Sequence, residues 1–194
     1  MDRLRLANQS IASGILVGLG VIINTQSENK YIGAMLFSLA LLVIIECDLK
    51  LYTGRIGFIS SLSEVKQLSF IFVFNLVGVI LPIYLCSSRE GFMENLVAIS
   101  RNKFSSGYFD MFGRAVLCGV LMYIAVRCKN KLITVFSIMT FILSGYEHCI
   151  ADYPYLVVNF SLENLYKFLL VVFGNTIGSI YMKTITDKKK EFQQ

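Results

Sequence analysis

Long apolar runs without charge, separated by short charged segments, dominate the chain. Two of them, 6–27 and 67–88, each extend over 22 residues. An α-helix needs about 20 residues to cross the hydrocarbon core of a bilayer. Shorter runs cover 31–45, 132–146 and 168–182. A further run at 115–126 reaches sufficient length if 108–113 extends it across Arg114, whose side chain would snorkel or face a cavity. The pattern therefore predicts six transmembrane helices.

Composition supports a membrane protein. Of 194 residues, 55% are hydrophobic and only 16% are charged, whereas a soluble domain carries about 25% charge. This excludes a disordered chain, a coiled coil and a typical soluble enzyme. Five widely spaced cysteines predict neither a disulfide framework nor a metal site. We expect one all-α transmembrane domain over 1–194, with no cofactor and no nucleic-acid partner.

The distribution of basic residues predicts the orientation. Six spans place both termini on one side of the bilayer, and cytoplasmic loops carry an excess of Lys and Arg. The side with the termini would hold eleven of them, and the opposite side five. The eleven are Arg3, Arg5, Arg55, Lys66, Arg127, Lys129, Lys131, Lys183, Lys188, Lys189 and Lys190; the five are Lys30, Arg89, Arg101, Lys103 and Lys167. We therefore predict a multi-pass protein of the cell membrane with both termini in the cytoplasm.

A weak internal repeat relates the two halves of the chain. The segment 16–18 (LVG) matches 117–119 (LCG), and 75–80 (NLVGVI) matches 175–180 (NTIGSI). The separations between the matched segments are nearly equal in the two halves. Three repeated spans place the second half upside down in the membrane, as in many channels and transporters. We predict inverted repeats over about 6–100 and 104–186.

Polar residues interrupt the middle span of each half. The first interruption is 46–55 (ECDLKLYTGR) and the second is 144–152 (SGYEHCIAD). Charges and unwound backbone at membrane depth are tolerated only inside protein or beside a water-filled path. Paired broken helices indicate a binding site near the midplane. The alternative is that both segments are loops closing short hairpins.

The segments SGYEHCIAD and CDLKLYTG, together with the two N-x-x-G-x-I segments, resemble the formate/nitrite transporter family. The resemblance runs from 12 to 180. It implies an aquaporin-like protomer with broken second and fifth helices, assembled as a homopentamer, with a pore for small monovalent anions through each subunit. The site residues that it implies are His148, Thr53, Leu51, Phe141, Leu41, Lys103, Asn175, Asn75 and Glu147.

Each of these residues has an expected role. His148 would be the central pore histidine and Thr53 its hydrogen-bonding partner. Leu51 and Phe141 resemble an outer constriction, and Leu41 an inner one. Lys103 would sit in an exposed loop and attract anions, and Glu147 would brace the broken helix. The two asparagines, Asn175 and Asn75, would lie beside the pore or at a helix-packing face.

The lone histidine predicts the mechanism. A bare anion between apolar rings is strongly disfavoured. A hydrogen-bond donor at the midpoint offsets that cost, and so does a proton that travels with the anion. We therefore expect His148 to link flux to pH.

Departures from the family keep other functions open. Lys50 stands where a carboxylate is usual, Arg55 where asparagine is common, and Tyr123 where some members have asparagine. A pore for a neutral solute and a non-conducting family member remain alternatives. A membrane enzyme is poorly supported, because the chain has one histidine and no acidic cluster in its sequence.

Overall fold

The computed structural model describes residues 2–187, and every regular element in that range is helical. A short 3-10 turn, Ile56–Phe58, follows the third helix. The α-helices are α1 (Arg3–Gln26), α2 (Lys30–Glu46), α3 (Tyr52–Arg55), α4 (Leu62–Leu85), α5 (Phe92–Phe104), α6 (Tyr108–Arg127), α7 (Lys131–Leu143), α8 (Cys149–Val158) and α9 (Leu162–Asp187).

Six membrane crossings are built from eight of these helices. Helices α1, α4, α6 and α9 are each long and apolar enough to cross a membrane alone. The other two crossings are the pairs α2 with α3 and α7 with α8, each interrupted by non-helical backbone. Helix α6 begins at Tyr108, which confirms that 108–113 extends the fourth span. The broken second and fifth spans are confirmed, and the basic residues Lys188, Lys189 and Lys190 lie outside the described range.

The two halves begin and interrupt their middle spans in the same way. Asn29 caps α2 and Asn130 caps α7, each by accepting hydrogen bonds from two backbone N–H groups of the first turn. The second residue after each helix has a positive φ, Asp48 at 48° after α2 and Gly145 at 65° after α7. This left-handed backbone conformation turns the chain back into the bundle.

Within each half, the first and last helices pack side by side in the same direction. In the first half, Gly14 lies against Asn75 and Gly18 lies against Pro82, so α1 and α4 run parallel. The glycines remove the side chains that would otherwise separate the two backbones. Helices α6 and α9 repeat this arrangement.

Ionic contacts at the helix ends establish that the halves are inverted. Arg127 and Asp187, at the ends of α6 and α9, lie 3.6 Å apart. Lys183 of α9 donates to the carbonyl of Ile59, just before α4 begins. Helices α6 and α9 therefore end where α4 starts, and the second half runs opposite to the first.

The predicted alignment of the repeat was wrong by one helical turn. A Cβ added to Gly14 would lie 2.3 Å from the carbonyl oxygen of Asn75, and a Cβ added to Gly119 would lie 2.3 Å from that of Asn175. The partner of Gly119 is therefore Gly14 and not Gly18. Small residues recur along α1 at about one-turn intervals, so a short sequence match could not select between them.

Helix α5 was not predicted. It packs Phe92 and Leu96 completely inside the protein while its other face is polar. Lys103 lies in its last turn, so the prediction that Lys103 belongs to an exposed loop was wrong.

Candidate pore site at the two helix breaks

An asparagine holds the first break in place. The side-chain oxygen of Asn75, on α4, accepts from the N–H of Tyr52 at 2.8 Å. Its side-chain nitrogen donates to the carbonyls of Lys50 at 2.9 Å and of Ser10 at 2.8 Å. One fully buried side chain thus satisfies backbone groups on both sides of Leu51, which leaves Leu51 at the tip of the break.

The second break is held in the same way by Asn175 on α9. Its oxygen accepts from the N–H of Cys149 at 2.9 Å, and its nitrogen donates to the carbonyls of Glu147 and Ala115, both at 2.8 Å. His148 therefore occupies the position equivalent to Leu51. The two asparagines brace the breaks, which is a more specific arrangement than the resemblance implied.

His148 and Thr53 meet where the two breaks approach each other. The side chain of His148 caps α8, because its Nδ1 accepts from the N–H of Ala151 at 3.2 Å. A ring nitrogen that accepts carries no proton, so the neutral ring is protonated at Nε2. Nε2 lies 2.8 Å from Oγ1 of Thr53 and donates to it. Both side chains are buried, at 3% and 1% exposed.

Aromatic rings cover His148 on one side. The ring of Phe141, on α7, stacks on the imidazole with centroids 5.7 Å apart. Phe37, on α2, meets Phe141 edge to face at 6.0 Å. Phe37 was not among the predicted site residues. The sequence offered one indication of its role, because Phe37 lies one helical turn before Leu41 on the same membrane crossing.

A cavity of about 620 Å³ opens on the other side. Its lining includes Leu41, Leu51 and Gly54, next to Thr53. We call this space the mouth cavity. Leu51 thus lies with Leu41, and the prediction that Leu51 joins Phe141 on the opposite side was wrong. The backbone of 47–51 enters the bundle from the mouth cavity, which carries Leu51 to the same side as Leu41.

Basic residues dominate the rim of the mouth cavity. It contains four cationic and two acidic side chains: Arg55, Arg127, Lys129, Lys131, Glu46 and Asp48. Within residues 2–187, Lys129 has no carboxylate within 4.0 Å, whereas Lys131 lies 3.3 Å from Glu46. An excess of positive charge at a concave opening attracts anions.

Lys103 does not act as a free cation. Its Nζ lies 2.5 Å from Glu147 and 3.0 Å from Asp152, and both carboxylates are buried. Arg114 approaches Glu147 at 3.5 Å and also binds Asp110. Two buried carboxylates compensate the ammonium of Lys103, so the prediction that it attracts anions at a pore entrance conflicts with its surroundings.

Asp152 was missed by the sequence reasoning. It lies in the first turn of α8, and its N–H donates to the carbonyl of His148 at 2.8 Å. The signal available was its spacing of one helical turn from the histidine. That spacing alone does not distinguish a buried acid from an exposed one.

The residues that depart from the family take up local contacts. Lys50 is buried and lies 2.7 Å from the carboxylate of Asp48. Arg55 reaches the same carboxylate at 3.4 Å. Tyr123 stacks on Phe58 with ring centroids 5.0 Å apart. Lys50 and Arg55 therefore bind the carboxylate of Asp48, the residue at the turn of the first break.

Comparison with known proteins identifies the family. The formate/nitrite transporter family model matches residues 1–186. The formate channel FocA of Haemophilus influenzae is 21% identical over an alignment 175 residues long, which covers 73% of this chain. The chain spans 62% of the length of that relative.

Two solved structures share the fold. A protein described as an FNT family ion channel superposes with a TM-score of 0.82 at 21% identity, covering 97% of this chain and 91% of that one. A pentameric formate channel with formate bound gives a TM-score of 0.72 at 17% identity, covering 98% and 96%. On the evidence of the family match over nearly its whole length, the chain belongs to the formate/nitrite transporter family.

Proposed function

We propose that this protein is a channel for small monovalent anions of weak acids, such as formate, nitrite or hydrosulfide. The observation that carries the proposal is the buried pair formed by Thr53 and His148. This pair lies between apolar residues on both sides and next to a cavity with a basic rim. The family and the formate channels among its relatives agree with this function.

The arrangement lowers the cost of stripping water from an anion. The basic rim concentrates anions in the mouth cavity. The side chains of Leu41 and Leu51 then exclude water from the path. At the pair, Nε2 of His148 donates to Thr53, so the hydroxyl of Thr53 keeps its own hydrogen for another acceptor. A permeating anion can receive that hydrogen bond, which offsets part of its dehydration.

The expected link to pH through His148 stays a prediction. A proton on Nδ1 would remove the hydrogen bond from Ala151 and place a cation at the N-terminus of α8, where a helix favours negative charge. We therefore propose that His148 acts mainly as a neutral imidazole that donates a hydrogen bond from Nε2.

Anion flux into proteoliposomes tests the proposal. Competition among formate, nitrite, hydrosulfide, acetate and lactate would rank the substrates. His148→Phe should block flux or slow it severely, because it removes the donor and adds an apolar ring. His148→Asn should retain some conduction, because asparagine can still donate. If the parent protein passed none of these anions but passed a neutral solute independently of pH, the neutral-pore alternative would replace this proposal. If it passed neither, the protein would be a non-conducting family member.

We further propose a homopentamer in the cell membrane, with both termini in the cytoplasm and the mouth cavity facing it. The pentameric formate channel supports the assembly, and the basic rim agrees with the distribution of positive charge. The protein's mass in detergent, corrected for bound detergent, tests the assembly, and a stable monomer of 21.9 kDa would contradict it. Reporter fusions to each terminus test the orientation.

A further inference from the structure

A buried ionic cluster lies beside His148, on the side away from the mouth cavity. It consists of Lys103 between the carboxylates of Glu147 and Asp152. These two acids are only 1% and 4% exposed. Each keeps one buried oxygen, Oε1 of Glu147 and Oδ2 of Asp152, that has no hydrogen-bond partner among residues 2–187. For Oε1 of Glu147, Arg114 lies 3.5 Å away as an ion-pair partner. Unpaired oxygen atoms at this depth are costly unless a further group binds there.

The charges around the cluster do not balance. Lys103 comes from α5, and Arg114 and the exposed Asp110 come from α6. Glu147 and Asp152 flank His148. Three carboxylates against two cations leave one negative charge in excess. Four further titratable groups face the cluster, and in their neutral forms they leave this balance unchanged. They are Cys118 of α6 and Cys149, His148 and Tyr155 of the α8 segment.

We propose that Glu147 and Asp152 together bind one proton, and that this shared proton makes the pore permeable to anions. The inference rests on the proposed channel function. The proton comes from water and returns to water, so no other reactant is needed. One proton neutralises the excess charge, and a protonated carboxyl can donate to the other carboxylate, which uses an oxygen that is now unpaired. Like charges that share a site favour such an arrangement.

The two acids are better placed for this proton than His148 is. The histidine uses Nδ1 to cap α8, and protonation there would break the cap. The carboxylates instead lose a repulsion when one of them is protonated. Because Glu147 directly precedes His148, an excess negative charge on the cluster would repel an anion at the Thr53–His148 pair. Protonation of the cluster removes that repulsion, so flux should increase as pH falls.

Anion flux at acidic and neutral pH tests which group carries the response. For Asp152→Asn, which keeps the shape but removes one negative charge, the ratio of acidic to neutral flux should fall toward one. The flux at neutral pH should rise. His148→Asn should keep the parent's ratio, and so should the control Glu94→Gln, which changes an exposed acid of α5 outside the cluster. An unchanged ratio in Asp152→Asn, or a ratio abolished only in His148→Asn, would overturn the proposal.

Infrared spectroscopy of the purified protein tests the proton without any transport. The parent should show a protonated carboxyl band that titrates with pH, and the control Glu94→Gln should keep it. Asp152→Asn and Glu147→Gln should each lose or shift it, and two variants guard against the failure of one to fold. A titrating band in a protein that passes no anion would support the proton site and refute the channel function. Flux in a parent without any such band would refute the shared proton and leave the channel function standing.

Discussion

Truncation of Asn175 to alanine should destabilise the protein severely, although the residue is neutral and its side chain hydrogen-bonds backbone groups. The side chain makes three hydrogen bonds, to the N–H of Cys149 and to the carbonyls of Glu147 and Ala115. A buried polar group that loses its partner costs about 1–3 kcal/mol. Three such groups cost at least roughly 3 kcal/mol, which is a large part of the 5–15 kcal/mol typical of a folded protein.

Thermal unfolding in detergent, followed by helical circular dichroism, measures this effect. For a chain of this size, a loss of about 3 kcal/mol corresponds to a lowering of the unfolding midpoint by roughly 6–12 °C. Asn75→Ala should cause a loss of similar size, since Asn75 makes the equivalent three bonds at the first break. Asn102→Ala, on the exposed face of α5, is the matched control and should leave the midpoint nearly unchanged.

Asn175→Asp separates the acceptor from the donors. Aspartate keeps the acceptor for Cys149 but presents an oxygen to the carbonyls of Glu147 and Ala115. Protonation of that aspartate restores one donor in the folded state, so the variant should be more stable at acidic pH than at neutral pH. The comparison is with Asn175→Ala over the same pH range, which removes the pH dependence of the rest of the protein. If Asn175→Ala unfolded at the temperature of Asn102→Ala, the bracing role would be refuted.

Three further predictions concern packing and charge. Gly178→Ala should lower the unfolding midpoint, because its Cβ would lie 2.0 Å from the carbonyl oxygen of Val116. Gly113→Ala is the control and should leave the midpoint unchanged, because a Cβ there would have nothing within 4 Å. Equal midpoints in the two variants would contradict the close packing. Lys129→Gln should reduce anion flux at low salt and have little effect at high salt, because screening already weakens the field of the rim; a loss independent of salt would contradict this role. Lys103→Gln should lower the unfolding midpoint, because it leaves two buried carboxylates without their ammonium, and an unchanged midpoint would show that the ion pair is not structural.

The sequence predicted the parts of the fold that depend on local pattern. Uninterrupted apolar runs identified the long crossings, and polar residues inside shorter runs located both breaks. His148 could be selected because it is the only histidine and lies within such a break. Its contact with Thr53 spans 95 positions and rested on the resemblance rather than on any local pattern.

The errors arose where distant segments decide the environment. The residues next to Lys103 in the sequence suggest that its side chain is exposed to solvent, but its partner Glu147 lies 44 residues away. Leu51 looks like any apolar residue, and only the path of the backbone places it beside Leu41. The sequence pattern did not predict helix α5, because its apolar face is narrow and its mean hydropathy is low. These features depend on tertiary packing that a single sequence does not encode in any short window.

The two helix breaks have the same backbone arrangement but opposite charges beside them. Leu51 and His148 occupy equivalent tips, but Lys50 precedes one and Glu147 precedes the other. Around the first tip, the basic rim leaves positive charge in excess, and around the second, the acidic cluster leaves negative charge in excess. In the proposed channel, an anion would therefore be attracted to the mouth cavity and repelled beyond the histidine. Passage in either direction would cross that step in potential, and the proposed proton on the acidic cluster would remove it.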